Sequence, residues 1–267
     1  MEIAPATHMG PVELTVADLA RSLDYWQNAI GLRLVARENG TAHLGAGSTL
    51  VTLVEEPGAR PADGHTGLYH VALLVPDRPS LARWLAHAAR DRVPLVGLSD
   101  HDVSEAVYLR DPDHHGIEIY ADRPRELWEG QVFQRLTTEP LDVDDLLAAA
   151  DGEFDGLPEG TRVGHVHLRV RDVEEAVRFY RDLLGFGLMA QLGPAAAFLS
   201  AGGYHHHVGA NVWESRGASP PPPGSAGLRR FTIVLPDGDE LDRVAERLGG
   251  VEARDPSGNS VVLTSEI

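Results

Sequence analysis

Apolar positions along the chain fall into short period-two runs, and between these runs stand amphipathic stretches of helical period in a regular order. Val12 to Val16 reads as a strand, Asp18 as a helix N-cap, and LARSLDYWQNAI as an amphipathic helix stopped by Gly31. Three short strands follow, LRLVAR, TAHLGA and STLVTLV. A related series begins with strand YHVALLV and continues through Pro76-Asp77, helix SLARWLAHAARD and strands near VPLVGL, EAVYLRD and GIEIYAD. The segment Asp18 to Leu34 then aligns without gaps on Asp172 to Leu188, at a constant offset of 154. That alignment matches Asp18 with Asp172, Leu23 with Val177, Tyr25 with Phe179 and Gly31 with Gly185, so a third module repeats the first. A fourth, with strand RFTIVLP, Asp237, helix ELDRVAERLG and DPSGNSVVLTS, repeats the second and is shortened between Leu248 and Asp255.

The pattern predicts an α+β protein of four βαβββ modules in two tandem halves. Residues 1–130 would hold modules 1 and 2, and residues 161–267 modules 3 and 4. Residues 131–160, with a short helix at DVDDLLAAAD, read as a connector. The loop from Ser215 to Gly227 contains four consecutive prolines and is expected to be an exposed, extended excursion.

Composition narrows the chemistry. At 267 residues the chain can bury a large core, and a formal charge of −17 with no lysine argues against nucleic acid as a partner. Cysteine is absent, which removes disulfides, thiolate nucleophiles and thiolate metal ligands, so any metal must be held by His and carboxylate. No signal-peptide pattern opens the sequence, and no apolar run approaches the ~18 residues of a membrane span. A cytoplasmic protein that does not enter a membrane is expected.

One residue is out of keeping with its surroundings. His70 lies in GLYHVALLV, a strand apolar on both faces, and a buried imidazole needs a partner. The aspartate opening each helix supplies a common origin. Seven residues before Asp77 stands His70, and seven before Asp172 stands His165; the same step gives Pro11 and Arg230 in modules 1 and 4. Stepping forward seven from each Asp-Pro dipeptide gives Glu118 from Asp111 and Val262 from Asp255. Two histidines and a carboxylate at equivalent positions have the composition of the facial triad that holds non-haem Fe(II), and Zn or Mn suit the same ligands.

Other residues are weighed against this set. His167 competes with His165 from the same strand face, but the count from the cap favours His165 and leaves His167 as a residue behind the ligands or as pocket wall. Tyr204-His205-His206-His207 is read as opening a strand of module 3, with either His206 or His207 turned toward the pocket as an acid or base. Tyr108 is placed to hydrogen-bond a substrate oxygen, and His101 to sit in a loop over the site. His114-His115, at a turn, is read as non-catalytic, and His8 falls outside the repeat frame.

With these segments in view, GLYHVALLVPDR, SDHDVSEAVYLRDPD, GIEIYADRPRELW, GHVHLRVRD and AGGYHHHVGANVW, the chain resembles the two-domain catechol 2,3-dioxygenase-like proteins of the vicinal oxygen chelate (glyoxalase, bleomycin resistance, extradiol dioxygenase) superfamily. The resemblance implies paired modules in curved mixed sheets that form metal cups. It places metal ligands on His70, Glu118 and His165, an active-site histidine on His206 or His207, a substrate-binding tyrosine on Tyr108 and a further pocket histidine on His101. It implies extradiol cleavage of a small aromatic diol by O2 at Fe(II), with a lyase, isomerase or thiol transferase of the same fold, or a metal-free ligand-sequestering protein, as alternatives. Ligands in modules 2 and 3 depart from the commoner layout in modules 3 and 4, and require module 2 to pair with module 3 and module 1 with module 4. Self-association into a homo-oligomer is expected from the apolar edges of the paired modules.

Overall fold

The computed structural model describes residues 2–266. Each module's first helix starts by the same device. Asp18, Asp77, Asp172 and Asp237 stand in extended backbone and accept from the backbone N–H three residues on, at Arg21, Ser80, Glu175 and Glu240. In chain order, module 1 consists of β1 (His8–Val16), α1 (Leu19–Tyr25), β2 (Arg33–Glu38), β3 (Thr41–Gly45) and β4 (Thr49–Glu55), with a short β5 (Arg60–Pro61) after it. Module 2 has β6 (Gly67–Leu74), α2 (Arg78–Arg90), β7 (Gly97–Asp100), β8 (Ser104–Arg110) and β9 (Gly116–Asp122). After two short helices, α3 (Val132–Arg135) and α4 (Val143–Ala148), module 3 has β10 (Arg162–Arg169), α5 (Val173–Val177), β11 (Gly187–Leu192), β12 (Ala196–Ser200) and β13 (Val208–Asn211). Module 4 has β14 (Ser225–Leu235), α6 (Gly238–Leu248), β15 (Glu252–Arg254) and β16 (Ser260–Ser265).

The strands form two mixed sheets. One runs β15-β16-β14-β1-β4-β3-β2 with β5 beside β14, and the other β11-β12-β13-β10-β6-β9-β8-β7. Modules 1 and 4 therefore share one sheet and modules 2 and 3 the other, as the positions of His70 and His165 required. One apolar cluster, including Val12, Leu14, Trp26, Val71, Leu73, Val166 and Leu168, runs through both sheets and the helices.

The repeat extends to a buried polar joint that the sequence did not advertise. Trp26, on the helix of module 1, donates its indole N–H to Asp111 in the Asp-Pro turn of module 2 at 3.1 Å. Its counterpart Tyr180 donates its hydroxyl to Asp255 in module 4 at 3.0 Å. Asp111 also accepts from the backbone N–H groups of Asp113 and His115 and lies 2.8 Å from the His115 ring. Asp255 accepts likewise from Ser257, Asn259 and the Asn259 side chain. Both turns pass through the left-handed region, at His114 and at Gly258. This gives His115, expected to be non-catalytic, a structural task. Burial raises the Asp111 carboxyl, but His115 outweighs it and holds the net value below the ordinary range, whereas Asp255 is left raised by its burial.

Several expectations on element limits shift. Helices α1 and α5 pass into π turns over Trp26–Ile30 and Arg178–Leu183 instead of continuing as α-helix. In VPLVGL, strand pairing starts only at Gly97, because Val93 and Leu95 pack on the core from irregular backbone. Tyr204 to His207 precede β13 and do not open it. Helix α4 falls within DVDDLLAAAD, and α3 was not anticipated.

Removing each turn carboxylate separates the two joints energetically. Asp111→Ala strands a buried imidazole with three N–H donors and is expected to cost about 3–5 kcal/mol, whereas Asp255→Ala, a joint of neutral donors, is expected to cost about 1–3 kcal/mol. Guanidinium unfolding of both variants checks the order; a larger loss in Asp255→Ala would refute the role given to His115.

Candidate metal centre

Strand β6 lies between antiparallel β10 and parallel β9, and its register sets the site. Across four strands, His165, Ala72, Glu118 and Tyr108 are direct neighbours in one row. One pleat along β6, His70 stands opposite His167, which in turn stands opposite Gly209. Side chains two apart on a strand share a face, so both rows point into one cup. The small side chain of Ala72 leaves space between its larger neighbours. A Cβ on Gly209 would come within 2.9 Å of the His167 ring, so only glycine admits that ring there.

The ends of three side chains converge in the cup. His70 Nε2 and His165 Nε2 are 3.2 Å apart, and Glu118 Oε2 lies 2.9 Å from the first and 3.1 Å from the second. All three residues are buried. Protein hydrogen bonding alone serves this triangle poorly, because both nitrogens would have to direct their protons at one oxygen while crowding each other. A cation accepts all three lone pairs at once. Three donors at right angles around an ion, each roughly 2.1 Å away, stand about 3.0 Å apart, while tetrahedral angles would spread them to about 3.4 Å. The observed spacings suit three donors on one side of a shared cation, the arrangement that leaves other positions open. Burial raises Glu118, but His165 and His70 overcome it and hold the carboxyl well below its usual range. Burial also lowers His165 to about 4, against the opposing pull of Glu118. Glu118 and His165 are therefore ready as donors at neutral pH.

A cavity of about 550 Å³ opens on this cup, and His70, Glu118 and His165 line it with His101, Tyr108 and His206. His207 does not line it; its Nδ1 accepts from the Ala201 N–H and lies 2.9 Å from Ser200 Oγ. His167 does, as expected of a wall residue, and its Nε2 has no partner among the described residues. His8 and His114 stand away from it, His114 3.9 Å from Asp63.

Two hydrogen-bond chains reach the cavity, and with the linking imidazoles as neutral rings their directions follow from end groups that can only accept. The Thr137 carbonyl is 2.6 Å from His101 Nδ1, which must donate to it, so His101 Nε2, 2.7 Å from the Tyr108 hydroxyl, accepts from Tyr108. Burial, then the charge of Glu118, raises Tyr108 well above its ordinary value and keeps it a phenol. On the other side, Asp122 Oδ1 is 2.9 Å from His205 Nε2, and His205 Nδ1 is 2.8 Å from His206 Nδ1. Asp122 accepts from His205, His205 from His206, and His206 Nε2 is left with a bare lone pair, buried and without a partner among the described residues. The His206 ring lies over His165, with centroids 4.0 Å apart. Burial, then His165 and His205, keeps His206 well below the usual histidine range and so neutral.

Asp122, His205 and Thr137 were not singled out from the sequence. Asp122 did carry a signal, since Glu118, Tyr120 and Asp122 alternate onto one face of GIEIYAD. Thr137 carried none, because the connector that holds it shows no periodicity pointing to the cup.

The model of the Glyoxalase/Bleomycin resistance protein/Dioxygenase superfamily matches residues 8–119 and 162–252, and the chain belongs to that superfamily. Within it the chain is catechol-2,3-dioxygenase-like. Catechol-2,3-dioxygenase of Bacillus subtilis (strain 168) is 44% identical over 252 residues, which cover 91% of this chain and 87% of the relative. Among solved structures, a dioxygenase candidate from Bacillus subtilis subsp. subtilis str. 168 superposes with a TM-score of 0.66 at 16% identity, covering 99% of this chain and 86% of that one. Glyoxalase I from Zea mays gives 0.58 at 20% identity, covering 97% and 92%. At these identities the two structures speak for the fold alone. Among the described residues, no helix is long and apolar enough to cross a membrane.

The buried rings also set a pH dependence. His165 is lowered to about 4 and His207 to about 3, both chiefly by burial. In the unfolded chain they take up protons near pH 6.5, so between about 6.5 and the folded values the unfolded state binds more protons, and stability rises with pH there. The metal-free protein is expected to lose melting temperature steadily as pH falls from 7 to 5, measured by circular dichroism. A flat profile would show that these rings are not kept neutral by the fold.

Proposed function

We propose that the protein is an extradiol ring-cleaving dioxygenase, acting with O2 on a catechol-type aromatic at an Fe(II) ion held by His70, Glu118 and His165. The observation that carries this reading is the close triangle of two imidazole nitrogens and one carboxylate oxygen at the floor of a cavity. The relative that is 44% identical bears the name of such an enzyme. Iron held by these three residues would supply the redox chemistry that couples the diol to O2. Both oxygen atoms end in the product and no further reductant is consumed.

The remaining chemistry falls to side chains. The lone pair on His206 Nε2 takes a proton from a catechol hydroxyl as the substrate seats, and returns it as the ring opens. His205 and Asp122 hold the His206 ring in the tautomer that makes this possible. Tyr108 gives its proton to His101, so its oxygen is free to accept from the substrate and fix its orientation. Placed outside the cavity, His207 supports the turn at Ala201 and takes no part in the proton transfer.

Protein reconstituted anaerobically with Fe(II) and then given a catechol and air is expected to yield a yellow ring-cleavage product, followed by visible absorbance. His206→Asn should lower kcat by roughly 10²- to 10⁴-fold while the metal is retained, and His70→Ala should lose the metal by elemental analysis. Turnover that persists under argon with Zn or Mn would instead assign a non-redox lyase or transferase activity.

A further inference from the structure

Seating one catechol ring at the triad uses only the polar floor of the 550 Å³ cavity, a volume within the roughly 300–1,000 Å³ of sites for drug-sized ligands. The other end is apolar. Val96, Phe133, Leu136, Leu192, Phe198 and Trp213 form its walls. Four of them are exposed far beyond what large apolar side chains usually tolerate together: Phe133 at 67%, Val96 at 64%, Leu192 at 55% and Trp213 at 50%. Scattered exposed apolar residues need no explanation, but four on the rim of one cavity, from four separate segments, make a patch that a ligand would cover.

Charge points the same way. Arg110 is the one guanidinium lining the cavity among the described residues, and it lies 3.8 Å from Glu214, which also pairs with Arg169. Beyond Arg110, which already has the Glu214 carboxylate beside it, the cavity lining offers a substrate carboxylate no cation.

The wall is fixed in place. Val132 of α3 is buried in a cluster with Val103 and Trp128, Arg135 donates to Asp102 at 2.8 Å, and Leu136 packs beside Ala190 and Phe198. Phe133 is the large apolar side chain of this turn that is exposed, so its size contributes to the cavity rim and not to the core.

We propose that the outer half of the cavity is a subsite for an apolar ring substituent, with Phe133 and Leu192 as specificity-determining residues. The substrate class is then an uncharged catechol carrying an alkyl or aryl group, in preference to bare catechol or a carboxylate-bearing one. This inference rests on the dioxygenase reading for its reaction, though not for its binding.

Calorimetry of the Fe(II)-loaded protein under argon, where no turnover occurs, tests it with 3-phenylcatechol, catechol and 3,4-dihydroxyphenylacetate as probes. 3-Phenylcatechol is expected to bind at least tenfold more tightly than catechol, and 3,4-dihydroxyphenylacetate no more tightly than catechol. Phe133→Ser and Leu192→Ser should each reduce the ratio of 3-phenylcatechol to catechol affinity at least threefold. Equal affinities, or a ratio unchanged in both variants, overturn the subsite. Admitting air then separates the two claims. Binding in the expected order without cleavage leaves the subsite standing and refutes the dioxygenase, while cleavage without preference does the reverse.

Discussion

Two imidazole nitrogens and a carboxylate oxygen held within 3.2 Å of one another in a buried cup are the constraint around which the second sheet is arranged. Each comes from a different strand, so the triangle exists only while β10, β6 and β9 keep their register. A slip of one residue would turn every donor to the opposite face. Apolar packing of Val71, Leu73, Val166, Leu168, Ile117 and Ile119 on the far face of those strands is what resists the slip. The hydrophobic core thus sets the position of the polar cup. Neighbours can be small or absent where the donors need room, as at Ala72 and Gly209.

The electrostatics of the cup extend outward along two chains of the same sense. On one, a carbonyl at Thr137 directs a proton from Tyr108 away from the cavity; on the other, Asp122 directs protons away from His206 Nε2. Both chains therefore present acceptors to whatever enters. A neutral diol, which arrives with two hydroxyl protons to place, complements such a lining better than a ligand that has only lone pairs to offer. This matching belongs to the tautomers and not to the residue types, since the same histidines with the hydrogens moved would favour the opposite kind of guest.

Much of this could be read before any coordinates, for a physical reason. An N-cap is a local event, and once an aspartate fixes where a helix begins, the short strand before it has a fixed phase. Counting seven back from Asp77 and Asp172 therefore reached His70 and His165, and the Asp-Pro turns reached Glu118. What stayed hidden depended on tertiary contact. Val93 and Leu95 have the composition of a strand, yet the core claims them before any neighbour can pair with them. Trp26 and Tyr180 look like ordinary helix residues, and their bonds to Asp111 and Asp255 become visible only once two modules pack together. The short α3 lacks both cap and period, so Phe133 could not be assigned to a pocket wall. Within Tyr204 to His207, alternation could not discriminate because the backbone there is not a strand.

The other sheet shows what the same frame becomes without the donors. Arg230, in the place of His70, stands opposite Glu13, in the place of His167, and donates to it at 2.8 Å, while Arg229 donates to the second Glu13 oxygen. Val262 takes the place of Glu118 and faces Thr232 where Glu118 faces Ala72. Both arginine side chains are more than two-fifths exposed, so this ion pair is solvated and contributes little stability, on the order of 1 kcal/mol or less. The Asp-Pro joint, by contrast, is retained in both halves, with its carboxylate, its two turn N–H donors and a donor from the helix. The repeat thus kept in duplicate the contact that packs helix on turn, and kept only once the buried cluster of charge, which is costly to desolvate and confers little stability until a cation fills it. That asymmetry is what a cup maintained for chemistry, and not for the stability of its sheet, would leave behind.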